Sequence, residues 1–238
     1  MVLIKTLSEK GRQEYSFTSS FELSAHQINC LIPFFSMPIE SVNSALGGRT
    51  SVTRADIEGI GPIVIKHYVR GGFLRHVVKR TYLGLGKTRG QVEYEMLNKV
   101  RQIGVYAPEP IAYASKGRLF YKAWLITRQI GQHTSLATLS LTDEKCSQSK
   151  MSCIIDEVSV LIRNTILHVD LHPGNTLVDK AGRVYLVDFD KARFFLGNTN
   201  RLCHRYIRRW NRAVAKHCLP EMLSKEFSAG LARRFDLG

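Results

Sequence analysis

The chain has 238 residues, 44% of them hydrophobic, which is enough to fill one domain with two lobes or two small domains. Its 34 Lys and Arg against 20 Asp and Glu give a formal net charge of +14, which favours anionic partners. It has no run of 18 apolar residues to span a membrane, no apparent secretion signal, and five scattered cysteines without a Cys-x-x-Cys pair. We therefore expect a cytoplasmic protein with reduced thiols rather than a disulfide or zinc framework.

The first 50 residues carry weak signals. Residues 1–40 have one dense apolar cluster, at 30–35, and we expect an extension packed on the first lobe. Gly47 and Gly48 then precede a strand-like run. Glycines at such a position let backbone amides approach phosphate oxygens, so they are candidates for a phosphate-covering loop, with an ordinary turn as the equal alternative.

Two strand-like runs, 51–57 and 62–69, flank a Glu-Gly-Ile-Gly turn and predict a hairpin. Lys66 closes the β-branched run of the second strand. A lysine in this position can neutralise nucleotide phosphates, whereas the ordinary alternative is an edge-strand lysine that points into water. The choice depends on whether an acidic partner follows.

An amphipathic helix is predicted for 91–103, because apolar residues recur there in steps of four, four and three. Its opening turns contain two acidic candidates for pairing with the lysine, Glu93 and Glu95. Strands at 111–115 and 118–127 complete a small antiparallel sheet with this one helix. Residues 127–131 are interpreted as a strap where adenine would bind, and 154–166 as a long buried helix.

The segment from 168 to 190 carries the strongest chemical signal. Asp170 is followed by Asn175 and then by Asp188, with apolar runs at 176–178 and 184–187 joined by a turn that contains Gly182. This predicts a hairpin that brings the three polar residues to one end of a small sheet. One carboxylate can then orient an attacking hydroxyl, while the amide oxygen and second carboxylate hold Mg²⁺. A surface hairpin with an acidic end is the alternative.

The spacing resembles the protein-kinase patterns H-R-D-L-x-x-x-N and D-F-G, written here as residues 168–175 and 188–190. Val169 and Asp190 depart from the pattern at the usual arginine and glycine. The resemblance implies an α+β, protein-kinase-like two-lobed fold, with an N-lobe of about 40–128 and a mainly helical C-lobe of about 132–220 in one domain. It also favours Glu93 over Glu95 as the partner of Lys66, since Glu93 stands four residues before Leu97, as in kinase helices.

Further segments, 47–49, 61–72, 83–89 and 184–191, resemble the lipopolysaccharide kinase family, and within it most of all the 3-deoxy-D-manno-octulosonic acid (Kdo) kinases. The resemblance implies transfer of the ATP γ-phosphate to the 4-hydroxyl of a Kdo sugar on a lipid A precursor, with Mg²⁺. It places the enzyme peripherally on the cytoplasmic face of the bacterial inner membrane. Residues 171–174 depart from the expected loop and are closer to those of aminoglycoside and choline kinases. The alternatives are a heptose kinase, a protein kinase, or a non-catalytic kinase-like module.

Two basic tracts, 59–92 and 191–220, contain large apolar residues and no acidic residue. Such mixtures suit an anionic inner-membrane surface, and a solvated helical face is the alternative. No nucleic-acid motif accompanies the charge, so we expect no nucleic-acid partner.

Overall fold

The computed structural model describes residues 2–7, 14–37, 41–43, 49–68, 82–83, 86–117 and 120–237. Two of the sequence predictions lie outside these ranges. One is the phosphate-covering loop at Gly47 and Gly48, and the other is the part of the first basic tract at 69–81.

The described residues form strands and helices in mixed order. The strands are β1 (Val2–Leu7), β2 (Glu14–Ser19), β3 (Ser41–Asn43), β4 (Arg49–Ile57), β5 (Gly61–His67), β6 (Tyr82–Leu83), β7 (Pro110–Lys116), β8 (Phe120–Arg128), β9 (His133–Ser135), β10 (Ile166–Leu167), β11 (Thr176–Asp179), β12 (Val184–Leu186) and β13 (Arg193–Phe194). The helices are α1 (Ala25–Leu31), α2 (Arg89–Gln102), α3 (Leu136–Thr142), α4 (Glu144–Ser149), α5 (Met151–Arg163), α6 (Thr199–Lys216) and α7 (Met222–Phe235). Two 3-10 turns span Ile32–Phe35 and Pro173–Asn175.

The main sheet is antiparallel, in the order β1-β2-β7-β8-β5-β4-β3, with β6 on β8. The prediction of a mixed α and β chain with an antiparallel sheet is confirmed. The amino-terminal residues are more than a packed extension, because β2 pairs with β7 through Tyr15↔Lys116 to Ser19↔Ala112 and so enlarges the sheet. The alternation of buried Tyr15 and Phe17 along β2 is the period-two pattern of a half-buried strand.

Contacts between Cα atoms divide the chain into two compact units. Unit 1 comprises Met1–Asn43, Arg49–Glu95 and Glu109–Gln129, and unit 2 comprises Ser44–Gly48, Met96–Pro108 and Ile130–Gly238. In unit 1, Phe35 stacks on Trp124 of β8 with ring centroids 4.4 Å apart, within a core cluster that also holds Ile63 and Ile65 of β5. Gly90 opens α2 close to this strand, since a Cβ at that position would lie 2.9 Å from the carbonyl oxygen of Trp124.

The core of unit 2 is built on α5, α6 and α7. Trp210 of α6 stacks on Phe227 of α7, with ring centroids 4.3 Å apart. A Cβ at Gly230 would lie 2.4 Å from Ile155 of α5, so the absence of a side chain permits the close packing of α7 on α5. Helix α6 lies within the second basic tract, and α3, α4 and α7 lie in segments for which no element was predicted. Of the helices that the structure describes, none is both long and apolar enough to cross a bilayer.

Candidate active site

In unit 1, Lys66 of β5 forms an ion pair with Glu93 of α2. Its Nζ lies 3.0 Å from Oε1 and 2.8 Å from Oε2 of Glu93, and the hydroxyl of Tyr68 donates to the same Oε2 at 2.5 Å. The Glu93 side chain is only 3% exposed. Glu95 instead pairs with Lys87 near the surface, at 2.6 Å. The prediction that Glu93 rather than Glu95 is the partner of Lys66 is therefore confirmed.

Local structure explains why these two side chains meet. Strand β5 buries Ile63 and Ile65 on one face, so Lys66 lies on the other. Helix α2 begins beside the hydroxyl of Thr88, which accepts a hydrogen bond from the backbone N–H of Gln91 at 3.2 Å. The close approach of the helix at Gly90 then brings its first turns, and Glu93 with them, within reach of the strand.

In unit 2, the loop that holds Asp170 is fixed to the segment before Asp188. The backbone N–H of His168 donates to the Tyr206 hydroxyl at 2.7 Å, and this hydroxyl donates to the Ile166 carbonyl at 2.8 Å. His168 Nε2 lies 3.0 Å from the Val187 carbonyl oxygen, and its ring packs 4.4 Å from that of Phe189. Burial raises the pKa of the Tyr206 phenol far above its usual value, so the hydroxyl keeps the proton that it donates.

Asn175 links the three predicted polar residues. Its Nδ2 donates to the Asp170 carbonyl at 3.0 Å, and its own carbonyl accepts from the Val187 N–H at 3.0 Å, one residue before Asp188. The predicted hairpin is present as β11 and β12, with Thr176 opposite Leu186. Asp188 adopts a φ of +67°, a left-handed conformation that is uncommon for a non-glycine residue and concentrates at functional sites.

The carboxylate of Asp170 contacts two cations. Lys191 Nζ lies 2.8 Å from Oδ2, and Arg209 Nη2 lies 3.2 Å from Oδ1. Neither was a candidate site residue in the sequence, where both belonged to the second basic tract and Lys191 also ended the family-like segment 184–191. Lys191 follows the Asp-Phe-Asp triplet directly and could have been found from that position. Arg209 lies 39 residues from Asp170 on a helix, and no local pattern connects the two.

His172 lies in the same loop and is kept neutral. Burial, the Arg209 guanidinium and the His168 ring lower the pKa of His172 from 6.5 to about 4, against the opposing effect of nearby carboxylates. Its Nδ1 accepts a hydrogen bond from the Gly174 N–H at 3.1 Å, which needs an unprotonated nitrogen. The imidazole therefore caps the 3-10 turn that ends in Asn175.

The donor set at Asn175 and Asp188 fits Mg²⁺. Because the Asn175 Nδ2 is used by Asp170, its Oδ1 is the atom left for a cation, and Asp188 supplies a carboxylate. The described residues hold no group of three or more His, Cys, Asp and Glu that could ligate a metal. Mg²⁺ nevertheless commonly uses one or two protein oxygens together with substrate phosphates. The roles of Lys66, Glu93, Asp170, Asn175 and Asp188 in binding and catalysis stay predictions.

The chain belongs to the lipopolysaccharide kinase (Kdo/WaaP) family, whose sequence profile matches residues 36–223, more than half of the chain. Membership of a kinase family implies the use of ATP.

Particular relatives are named 3-deoxy-D-manno-octulosonic acid kinase. The chain is 34% identical to that of Vibrio vulnificus (strain CMCP6) over 131 residues, 54% of this chain and 55% of the relative. It is 32% identical to that of Vibrio cholerae over 138 residues, 57% and 58% of the two chains. The Xanthomonas axonopodis protein is 28% identical over 180 residues, 71% and 68%. The chain thus spans little more than half the length of its Vibrio relatives.

Proposed function

We propose that this protein is an ATP-dependent phosphotransferase that moves the γ-phosphate to the 4-hydroxyl of a Kdo sugar on a lipid A precursor. The family and the names of its relatives support the reaction class and the acceptor. The observation that carries the proposal is the hydrogen-bonded link from Asp170 through Asn175 to Val187, beside Asp188. This link ties together the backbone segments that carry the three side chains proposed for phosphoryl transfer.

Each residue has a proposed role. Asp170 accepts the proton of the acceptor hydroxyl. The hydroxyl oxygen bonds to the γ-phosphorus as the bond from the γ-phosphorus to ADP breaks. Asn175 and Asp188 would hold Mg²⁺, which supplies charge neutralisation on the phosphates when bound. Lys66, held by Glu93, neutralises the α- and β-phosphates. Gly47 and Gly48 are proposed to cover the phosphates.

We further propose that the chain is a single domain with the protein-kinase-like two-lobed fold. Residues of about 40–128 would form the N-lobe and about 132–220 the C-lobe. The antiparallel sheet with the Lys66–Glu93 pair in unit 1, and the mainly helical unit 2 with Asp170, support this assignment.

We also propose that the protein works peripherally on the cytoplasmic face of the inner membrane. A short apolar segment at the end of β13 supports this location, because Leu196 is fully exposed and Phe194 is 55% exposed. Cations flank the segment, with Arg193 beside Phe194 and the Arg205 guanidinium 5.2 Å from the centroid of the Phe195 ring. Exposed apolar tips flanked by arginine suit an anionic lipid surface.

Vesicle binding tests the membrane assignment. The double variant Phe194→Ser/Leu196→Ser should bind anionic vesicles about tenfold more weakly than the parent, since two large apolar side chains no longer enter the lipid. Both proteins should bind neutral vesicles poorly, because the cations find no anionic lipid. Equal binding of the parent and the double variant to anionic vesicles would show that this segment is ordinary solvated surface.

Acceptor choice tests the activity. Purified protein is incubated with labelled ATP and Mg²⁺ and, separately, with Kdo-lipid, a heptosylated lipid and a generic protein. We expect label on the Kdo-lipid, and none with Asp170→Asn as the control. Label on heptose or on protein would favour the other kinase types, and nucleotide binding without any transfer would favour a non-catalytic module.

A further inference from the structure

Unit 2 contains a cavity of about 500 Å³ whose lining is dominated by arginine. It lies along one face of α6 and beside the loop that leads to Asp170. Five of its nine lining residues are arginines and none is acidic, in this part of the chain that the structure describes. The arginines are Arg193, Arg205, Arg208, Arg209 and Arg212.

The charge of these arginines is mostly uncompensated. Among the described residues, only Arg209 of the five forms an ion pair, with Asp170 at 3.2 Å. Arg205 is held instead by the face of the Phe195 ring. Like charges gathered around one cavity repel each other, and an anion that enters the cavity relieves that repulsion.

Arg209 offers a hydrogen-bond donor that the protein does not use. Its Nε is covered from solvent and has no acceptor among the described residues, although Nη2 of the same guanidinium contacts Asp170. Buried donors are satisfied in the large majority of cases, so a donor of this kind indicates a ligand oxygen. Arg209 thus joins the cavity to the proposed catalytic carboxylate.

We propose that this arginine cavity binds an anionic group of the acceptor, a carboxylate or a phosphate, and so presents the neighbouring hydroxyl to Asp170. The inference rests on the proposed function and identifies which surface recognises the acceptor. Arginine suits the task because its planar fork matches carboxylate and phosphate oxygens. A volume of about 500 Å³ is in the range of small-molecule sites and accommodates an acidic sugar.

Two charge-matched double variants test the assignment. Arg208→Gln/Arg212→Gln, the cavity variant, removes two exposed cations of the cavity, neither of which contacts Asp170. Arg201→Gln/Lys216→Gln, the control variant, removes two exposed cations of the same helix that do not line the cavity. Both variants lose two charges from α6, so non-specific attraction to anionic lipid changes equally. Equal thermal unfolding midpoints confirm that both fold like the parent.

We expect the cavity variant to raise the KM for the Kdo-lipid about tenfold, because charge-assisted hydrogen bonds to the acceptor are lost. The KM for ATP should change less than about twofold, and the control variant should keep both values. An unchanged KM for the Kdo-lipid in the cavity variant, or the same rise in the control variant, would overturn the proposal.

Two altered acceptors identify the anion. One carries the sugar carboxylate as a methyl ester, and the other lacks the phosphates of the lipid. Loss of the bound group should raise the KM of the parent to that of the cavity variant, whichever group it is. If neither alteration changes the KM of the parent, the cavity does not recognise the acceptor.

Calorimetric titration with inorganic phosphate separates this proposal from the proposed function. Phosphate binding outside the cavity should be the same in the parent and in both variants. A difference in phosphate affinity that is confined to the cavity variant therefore reports on the cavity. We expect binding about tenfold weaker in the cavity variant than in the parent and the control. If the phosphate affinities differ in this way but no phosphoryl transfer is detected, the kinase assignment is wrong and the anion site is supported. If the three proteins bind phosphate with equal affinity, the proposed anion site is wrong.

Discussion

Two ionic clusters, each built around one carboxylate, differ in how far that carboxylate is buried. In unit 1 a lysine meets a carboxylate that is only 3% exposed, and a tyrosine hydroxyl completes the cluster. In unit 2 the carboxylate of Asp170 is 25% exposed, and its two partners are a 61% exposed lysine and an arginine that lines a cavity. The first cluster is closed by protein atoms, whereas the second opens onto space that a ligand can enter.

The difference shows how burial decides what an ion pair does. A buried pair with its hydrogen bonds satisfied holds one geometry, because separation would leave a charge uncompensated away from water. We therefore propose that Glu93 positions the Lys66 ammonium. A more exposed cluster costs less to open, and we propose that Lys191 and Arg209 exchange Asp170 for an acceptor. We propose that the first cluster places a fixed charge and that the second releases a base.

Removal of the two helix glutamates gives the largest expected contrast. Glu93→Ala should lower the free energy of unfolding by about 3 kcal/mol or more, because a buried carboxylate that bonds both the Lys66 ammonium and the Tyr68 hydroxyl is lost. Glu95→Ala opens only the surface pair with Lys87 and should cost at most about 1 kcal/mol. Urea denaturation of both variants measures the difference. Equal losses would mean that the Lys66–Glu93 pair behaves as a surface pair.

Loss of the proposed base should have the next largest effect. Asp170→Asn should cut turnover by at least about 100-fold, as expected when a general base is removed, while nucleotide affinity stays near that of the parent. The measurement is phosphoryl transfer to Kdo-lipid beside a nucleotide-binding titration. Turnover within threefold of the parent would remove Asp170 from the mechanism.

Substitution of Lys66 and of Lys191 tests whether the first supplies a fixed charge and the second an exchangeable one. Lys66→Met should raise the KM for ATP about tenfold or more, because the phosphates lose a positioned cation. Lys191→Met should change the same KM less than about threefold, since the side chain is mostly exposed and lies on the carboxylate of the base. Steady-state kinetics at varied ATP concentration measures both KM values. An equal rise of the KM for ATP in both variants would show that Lys66 and Lys191 do not differ in this role.

The smallest expected effect concerns pH and the cation-rich surroundings of Asp170. His172 titrates near pH 6.5 in the unfolded chain but near pH 4 in the folded protein, so the unfolded state binds more protons between these values. Stability therefore falls as pH is lowered from 6.5 to 4, and it loses nothing more from this group below pH 4. We expect this share of the loss to be about 1–2 kcal/mol, because solvent screens a partly exposed ring.

His172→Asn isolates that contribution, since asparagine can still cap the Gly174 N–H without a titrating ring. Urea midpoints of the parent and the variant, compared at pH 7, 5.5 and 4.5, should diverge in favour of the variant as the pH falls. Parallel pH curves would show that His172 does not titrate in this window.

Local patterns carried most of what the sequence could predict. The β5 lysine, the α2 periodicity and the β11–β12 hairpin each lie within one short window, and the structure has all three. The amino-terminal strands were missed as sheet members because their pairing with β7 joins residues about 100 positions apart. Arg209 was missed for the same reason, since only tertiary packing of α6 brings it to Asp170.

Helix α6 has two sides that carry different kinds of residue. Its buried side carries Tyr206, which clamps the loop of Asp170, and Trp210, which anchors α7. Its arginines recur at 201, 205, 208, 209 and 212, a helical period that keeps them off the buried side. In our proposal, ligand preference and loop architecture are thus encoded by separate residues of one element. We expect substitutions at the exposed arginines to change the choice of acceptor while Tyr206 and Trp210 keep the scaffold unchanged.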